Sequence, residues 1–308
     1  MEIIKDINQI KWENTAITIG KFDGIHIGHQ KLLHKVLSAK GNGCTSVVFT
    51  FDRFPGKMFS GEERFFLTFE EEKQEFMREL GMDYYVMFPF TKETAAMEPE
   101  KFFSEILVGT MKVKELYVGR DFRFGKDRKG DVTLLKELAG KYGVSFEAIE
   151  KETYQGDVVS SSRIRDLVLD GEMENVTAML GRAYTVSGPV IHGKRLGRTI
   201  GFPTINLSIP DGKIRPKSGV YCSKVRIEGN EFFGITNIGT KPTVQEEPVY
   251  GAETFLLECN ENLYEKKVVI ELLHYVREEQ KFSSLDELMQ QLEQDKQYSR
   301  TFFEGLAK

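Results

Sequence analysis

The sequence predicts two domains: an α/β domain built on a parallel sheet with helices on both faces, then an antiparallel β-barrel closed by one C-terminal helix. Three observations carry this expectation. Up to about Gly181, short β-rich apolar runs alternate with longer runs of helical periodicity, and such repetition builds parallel sheets covered on both sides. Beyond Gly181, short strands follow one another between turn residues, the pattern of an antiparallel barrel. The length, 308 residues, suits two domains of the usual roughly 100–200 residues, placed at 1–181 and 182–308.

The elements follow in order. In the first part strands are expected at Ala16–Ile19, Ser46–Phe51, Tyr84–Met87, Leu116–Val118 and Val144–Ala148. Helices are expected at His29–Ala39, Phe69–Leu80, Pro99–Leu107, Val132–Lys141, Ser162–Leu169 and Met173–Leu180, where apolar residues recur every three or four positions. In the second part strands are expected at Tyr184–Val190, Gly219–Ile227, Glu231–Asn237, Thr254–Glu258 and Lys267–Tyr275. Turns are read at Glu228-Gly229-Asn230 and Cys259-Asn260-Glu261-Asn262. Helical periodicity returns at Leu285–Phe303, where Leu285, Leu288, Met289, Leu292, Tyr298 and Phe302 form an apolar stripe suited to covering the barrel. A helix-to-helix partner interface is the alternative use of that stripe. No low-complexity linker or internal repeat separates the two parts.

Composition excludes several classes. The 42 basic and 47 acidic residues leave a net charge of −5, which gives no general attraction to nucleic acid or to an anionic membrane surface. The three cysteines are scattered, without the close pairing of zinc or redox motifs, so reduced core residues are expected rather than a disulfide framework. The N-terminal stretch MEIIKDINQIKWEN has no signal-like apolar run, and no later segment offers the ~20 apolar residues needed to span a bilayer. A cytoplasmic protein is expected, monomeric or weakly homo-oligomeric, with no nucleic-acid or membrane partner.

Chemistry concentrates first in Gly20–Leu33, GKFDGIHIGHQKLL, which puts two of the chain's five histidines in a strand-to-helix turn. A strand that ends at Gly20 and turns through Phe22, Asp23, Gly24 and Gly28 brings backbone close to a ligand, and the first N–H groups of the helix point at it. This is an anion site. His26 and His29 add two ring N–H donors suited to phosphate charge that grows in a transition state. A lone turn histidine is usually structural, and glycines alone fit any tight turn; the combination is what points to phosphoryl or nucleotidyl chemistry.

The second concentration is Gly193-Lys-Arg-Leu-Gly-Arg-Thr-Ile-Gly-Phe-Pro-Thr-Ile-Asn206. Gly193, Gly197 and Gly201, with Lys194 and two arginines, make a basic flexible loop able to fold over a polyphosphate. Thr204 and Asn206, two apart on an extended segment, aim their oxygens to one side. Hard oxygens of this kind suit Mg²⁺ held between protein and phosphates. A basic glycine loop alone is more often a mobile surface turn.

The arrangement His26-Ile-Gly-His29 after a strand resembles the nucleotidyltransferase superfamily. Together with Tyr117-Val-Gly-Arg-Asp-Phe-Arg-Phe-Gly125 and Ser160-Ser-Ser-Arg-Ile-Arg165, it resembles the adenylylation module of prokaryotic bifunctional riboflavin kinase/FAD synthetases, a Rossmann-like domain. The Gly201–Asn206 block, Gly219-Val-Tyr, Asn237-Ile-Gly-Thr-Lys-Pro-Thr243 and Glu253-Thr254 resemble the riboflavin kinase barrel of the same family. The resemblance runs from Ile17 to about Arg300. It implies transfer of AMP from ATP to FMN in the first domain, with His26 and His29 on the phosphates, Asp121 and Phe124 in the nucleotide and flavin region, and Ser162 with Arg163 on the triphosphate. It also implies phosphorylation of riboflavin by ATP and Mg²⁺ in the second, with Glu253 as general base for the 5′-hydroxyl and Thr204 and Asn206 near the metal. Riboflavin, FMN and ATP are the implied small-molecule partners.

Two departures from the family pattern stand out. The family's Pro-His-Pro-like element reads Phe51-Asp-Arg-Phe-Pro-Gly-Lys57 here, so Phe54, assigned to the flavin region, holds the histidine position; it can stack but cannot donate a hydrogen bond. Phe255 stands where the family usually has histidine, a change of packing. Two other readings fit the same residues: a relative that keeps riboflavin kinase with impaired adenylylation, and a non-catalytic flavin-binding regulator.

Overall fold

The computed structural model describes residues 1–52, 65–191, 202–241, 249–257, 263 and 266–306. Phe54, Gly193, Lys194, Gly197 and Gly201, and the turn expected at 259–262, lie outside the described residues. The chain divides into two compact units, Met1–Ser161 and Ser162–Lys308. This division by compactness falls ahead of the change of texture at Gly181, because the helix Met173–Leu180 packs on strands of the second unit.

In the first unit, six strands form one sheet in the order β1-β4-β3-β2-β5-β6: β1 (Glu2–Ile4), β2 (Thr15–Ile19), β3 (Thr45–Phe51), β4 (Tyr84–Phe88), β5 (Val113–Gly119) and β6 (Ser145–Ile149). Every pairing in it is parallel. Side chains alternate across a strand, and both faces are apolar. Ile17, Ile19, Val47 and Phe49 turn to one core, with Phe102, Phe103, Leu135 and Leu138 from helical segments. Ala16, Val48 and Tyr85 turn to the other, with Leu32, Leu33, Val36 and Met77. Helices therefore cover both faces, as expected. These are α1 (Ile27–Ser38) and α2 (Glu70–Glu79) on the second core, and α3 (Pro99–Lys101, continuing as a π-helical segment Phe102–Thr110) and α4 (Val132–Tyr142) on the first.

Local chemistry sets the helix ends. Asp131 caps α4 by accepting the backbone N–H groups of Thr133 and Leu134, both at 3.0 Å, which satisfies two of the donors a helix start leaves open. The short edge strand β1 and a two-stranded hairpin, β7 (Thr153–Tyr154) with β8 (Asp157–Val158), are too short, at two or three residues each, to be legible as strands.

The second unit begins one residue into α5 (Ser161–Asp170), continues with α6 (Met173–Leu180) and then forms a six-stranded antiparallel sheet in the order β10-β13-β12-β11-β14-β9. The strands are β9 (Tyr184–Pro189), β10 (Thr204–Ser208), β11 (Gly219–Ile227), β12 (Asn230–Lys241), β13 (Val249–Leu256) and β14 (Lys267–Arg277). Its two edges meet where the Ile191 N–H donates to the Asn206 carbonyl at 2.8 Å, so the sheet curls into a barrel. The expected turn at Glu228-Gly229 is a two-residue hairpin with φ of 50° and 87°, the paired positive φ that suits strand twist. Inside, Ser223, Thr236 and Thr254 are fully buried and share hydroxyl hydrogen bonds of 2.7 Å across β11, β12 and β13.

The C-terminal helix, α7 (Leu285–Leu306), covers the barrel through a face that overlaps the expected stripe only in part. Leu285, Met289 and Tyr298 are exposed, whereas Leu288, Leu292, Asp295, Ser299 and Phe303 turn inward. Two polar residues on the inward stripe hid it from the periodicity. Asp295 meets Arg277, Ser299 donates to the Gly234 carbonyl at 3.4 Å, and Phe303 stacks on Phe233 at 4.0 Å.

Candidate active sites

Strand order reverses beside β2: α1 leads the chain to β3 on one side, while β5 returns on the other. In open α/β sheets ligands bind outside the carboxyl ends of strands at such a point. The turn after β2 and the segment after β5 are where the first set of expected residues lies.

The turn is built tightly. Gly20 donates its N–H to the Phe49 carbonyl at 3.0 Å and so still belongs to the sheet. Gly24 has φ of 80°, a left-handed conformation that favours glycine, and its N–H reaches Thr68 Oγ1 at 2.9 Å. Asp23 is buried, and its Oδ1 accepts from the backbone of Leu67 and Thr68 at 3.0 and 3.1 Å. That carboxylate thus holds the segment before α2 against the turn. Ser161 closes the same turn by donating to the Asp23 carbonyl at 2.8 Å.

His26 caps α1. Its Nδ1 accepts the His29 backbone N–H at 3.3 Å, which leaves the proton of the neutral ring on Nε2. The two imidazoles stack, with centroids 3.7 Å apart and 18° between planes, and a side chain at Gly28 would press on the His26 ring at 3.3 Å. Fully buried Phe22 meets His29 edge-on at 5.3 Å and supports it from beneath. Burial, the adjoining His26 ring and the Lys73 cation hold His29 well below its ordinary pKa. It is therefore neutral near pH 7, and its buried Nδ1 has no hydrogen-bond partner.

After β5, Asp121 pairs with Lys151 at 2.7 Å. Phe124 is part of the core beside Phe102 and Phe122, its backbone paired to Gly130 in both directions at 3.1 and 3.0 Å. Ser162 and Arg163 lie in the first turn of α5, in the second unit. A broad open depression at Met1, Lys40 and Asp83 lies by the opposite, amino ends of β3 and β4 and holds none of the expected residues.

In the second unit, Asn206 on β10, Glu253 on β13 and Asn237 on β12 stand in one row across three neighbouring strands. Thr204, on the same face two residues before Asn206, donates its hydroxyl to Glu253 Oε1 at 2.7 Å. The row borders a cavity of about 230 Å³ between sheet and α7, walled by apolar residues that include Phe202, Ile235, Phe255, Leu288 and Leu292, with Thr204, Asn237, Glu253, Arg277, Glu279, Gln280 and Asp295 as its polar members. An apolar cleft with a few convergent polar groups is the usual form of a small-molecule site. Phe255, read as a packing change, is part of this wall and lies 5.0 Å from Phe202.

The sequence reading missed Arg277, Asp295 and Glu279. Arg277 holds Asp295 with two bonds, Nε to Oδ1 at 2.9 Å and a terminal nitrogen to Oδ2 at 2.6 Å, and Gln291 adds a third to Asp295 at 2.9 Å. This clamp fixes α7 to β14 at the cavity's edge. The available signal was an acid set among the apolar positions of an amphipathic helix.

Comparison with known proteins identifies both domains. Residues 8–163 match the family model described as FAD synthetase, and residues 180–303 match that described as riboflavin kinase. Proteins named bifunctional riboflavin kinase/FMN adenylyltransferase are similar over nearly the whole chain. The one from Listeria monocytogenes is 34% identical, covering 95% of this chain and 94% of its own. That from Escherichia coli K12 is 35% identical, covering 99% and 97%, and that from Bacillus subtilis is 34% identical, covering 96% and 94%. A crystal structure of a protein named macrolide-efflux protein from Streptococcus pneumoniae superposes with a TM-score of 0.87 at 27% identity over 97% of this chain and 98% of that one. Among the described residues no helix is long and apolar enough to cross a membrane. The fold and the two family matches define a two-domain, nucleotide-using transferase. The chain belongs to the family of bifunctional riboflavin kinase/FMN adenylyltransferases.

Proposed function

We propose that the two units divide the family's chemistry, the barrel phosphorylating riboflavin to FMN and the α/β unit adenylylating FMN to FAD. The observation that carries the reading is Glu253, set between Asn206 and Asn237 at the edge of an apolar cavity and hydrogen-bonded to Thr204. In the kinase step the Glu253 carboxylate takes the proton of the riboflavin 5′-hydroxyl as that oxygen attacks the γ-phosphorus of ATP, and ADP leaves. Thr204 orients the carboxylate.

Thr204 and Asn206 fit Mg²⁺. They supply uncharged hard oxygens beside a carboxylate, and among the described residues no three His, Cys, Asp or Glu side chains gather into a cage of their own. Mg²⁺ with ATP would draw its other oxygens from phosphate and offset phosphate charge. The basic loop at Gly193, Lys194, Gly197 and Gly201 is assigned to those phosphates on the sequence alone.

In the adenylylation step an FMN phosphate oxygen attacks the α-phosphorus of ATP and pyrophosphate leaves, so no enzyme nucleophile is needed. The imidazoles of His26 and His29 and the amino end of α1 offer N–H groups to the charge that develops. Phe22, Asp23 and Thr68 keep that turn in shape. Asp121 and Phe124 mark the edge nearest the flavin, and the roles of Ser162 and Arg163 rest on the family resemblance. Buried free Cys44 and Cys222 fit a reducing, cytoplasmic setting.

Purified full-length protein given riboflavin, ATP and Mg²⁺ yields FMN and then FAD. Recovery of unmodified riboflavin overturns the reading. Conversion that stops at FMN, even when FMN is supplied, removes the adenylylation half alone.

A further inference from the structure

Asn237 is the cavity residue whose hydrogen bonding is left incomplete. It pairs with Glu253 across β12 and β13, and side chains directly opposite in an antiparallel pair have Cβ atoms roughly 4.5–5.5 Å apart. Its Nδ2 donates to Glu279 Oε1 at 3.0 Å. A carboxylate only accepts, so this bond fixes which end of the amide is nitrogen and which is oxygen. The remaining atom, Oδ1, is buried and has no partner.

Among the described residues lining the cavity no donor is spent on it: Arg277 gives its guanidinium to Asp295 and to the Glu278 carbonyl, and Gln280 makes no bond to Oδ1. Glu253 and Glu279 are acceptors, Thr204 spends its proton on Glu253, and Ile235 and Phe255 are apolar. Buried carbonyl oxygens in native proteins are almost always satisfied. An acceptor kept bare beside a general base is placed for a donor that arrives with the substrate.

Resting on the riboflavin kinase reading of this unit, we infer that Asn237 Oδ1 accepts a hydrogen bond from the substrate hydroxyl next to the one that is phosphorylated. Glu253 takes the terminal hydroxyl of the polyol chain, and the amide one strand away takes its neighbour. Asn237 thereby selects for a polyol with adjacent hydroxyls and sets the reacting oxygen against the carboxylate.

The test compares riboflavin with 4′-deoxyriboflavin, which lacks only that neighbouring hydroxyl, as kinase substrates of the full-length chain. Loss of one neutral hydrogen bond predicts about a tenfold drop in kcat/KM for the deoxy substrate with the unaltered protein. In Asn237→Leu, riboflavin falls by a similar factor while the deoxy substrate falls no further. FAD formation from supplied FMN by the same variant reports that the chain is folded. Equal activity of the unaltered protein on both substrates overturns the inference, as does an equal loss on both in the variant, and the kinase reading stands in either case. Glu253→Gln is the separate control: if it leaves FMN formation intact, the general-base assignment fails and this inference fails with it, whereas recovery of unmodified riboflavin from the unaltered protein removes the kinase reading itself.

Discussion

The rings of His26 and His29 lie face to face with centroids 3.7 Å apart, and the His26 Nδ1 accepts the His29 backbone N–H. A cationic pair at this distance would repel itself, so the neutral state of His29 follows from the geometry as well as from burial.

In the proposed adenylylation step, replacing either ring by alanine removes a donor to developing phosphate charge, a change that usually costs roughly 10²–10³ in rate. His26→Ala and His29→Ala are expected to lose FAD formation by that order while leaving FMN formation from riboflavin unchanged. Coupled product assays, with FMN or riboflavin as the starting flavin, measure the two separately. Because the rings act as a pair, the double variant is expected to be little worse than the poorer single one.

The depressed His29 value also sets a pH dependence. The ordinary histidine value is 6.5 and the folded value lies well below it. As pH falls below about 6.5, the unfolded chain takes up a proton that the folded ring refuses, and the first unit loses stability. The loss stops growing once pH passes below the folded value. His29→Gln is expected to flatten urea-stability curves between pH 6.5 and 5 by up to about 1.4 kcal/mol per pH unit. The chain's single tryptophan, Trp12, is buried in the first unit, so its fluorescence follows that unit alone.

Glu253→Gln keeps the shape of the side chain and removes its basicity. FMN formation is expected to fall by about 10²–10⁴, the usual contribution of a general base, with FAD formation from FMN unaffected. Thr204→Val is expected to cost less, because the carboxylate survives without its 2.7 Å partner. Both are read by separating flavins after incubation with ATP and Mg²⁺.

Arg277 and Asp295 form a clamp whose acid is 4% exposed. Asp295→Ala leaves an unmatched guanidinium at the cavity's edge and is expected to destabilise the second unit by about 3–5 kcal/mol. Arg277→Met combined with Asp295→Leu removes both charges together and is expected to restore most of that loss. Calorimetric transitions of the full chain measure both.

These residues mark how far the sequence could be read. Short-range pattern decides element type, so the run Thr15–Ile19, the glycine turn and helix α1 were legible, and with them the histidine pair. Strand order was not, since the place of β5 beside β2 depends on pairings far apart in sequence. The inward face of α7 was legible only at Leu288 and Leu292, because hydropathy counts Asp295 and Ser299 as outward, while Arg277 and the Gly234 carbonyl satisfy them inward. Asp23 was assigned to phosphate by its position in the turn, and only the folded chain shows its Oδ1 engaged by Leu67 and Thr68.

The hydroxyl chain of Ser223, Thr236 and Thr254 has a bearing on catalysis although it touches no cavity wall named above. Thr254 follows Glu253 directly, and neighbours on a strand face opposite ways. A slip of one residue in β13 would turn the proposed base into the barrel and bring a threonine to the cavity. Three interlocked hydroxyls that bond well in only one alignment act as a ratchet against that slip, so the purchase that keeps the reacting group facing outward lies on the hidden side of the sheet.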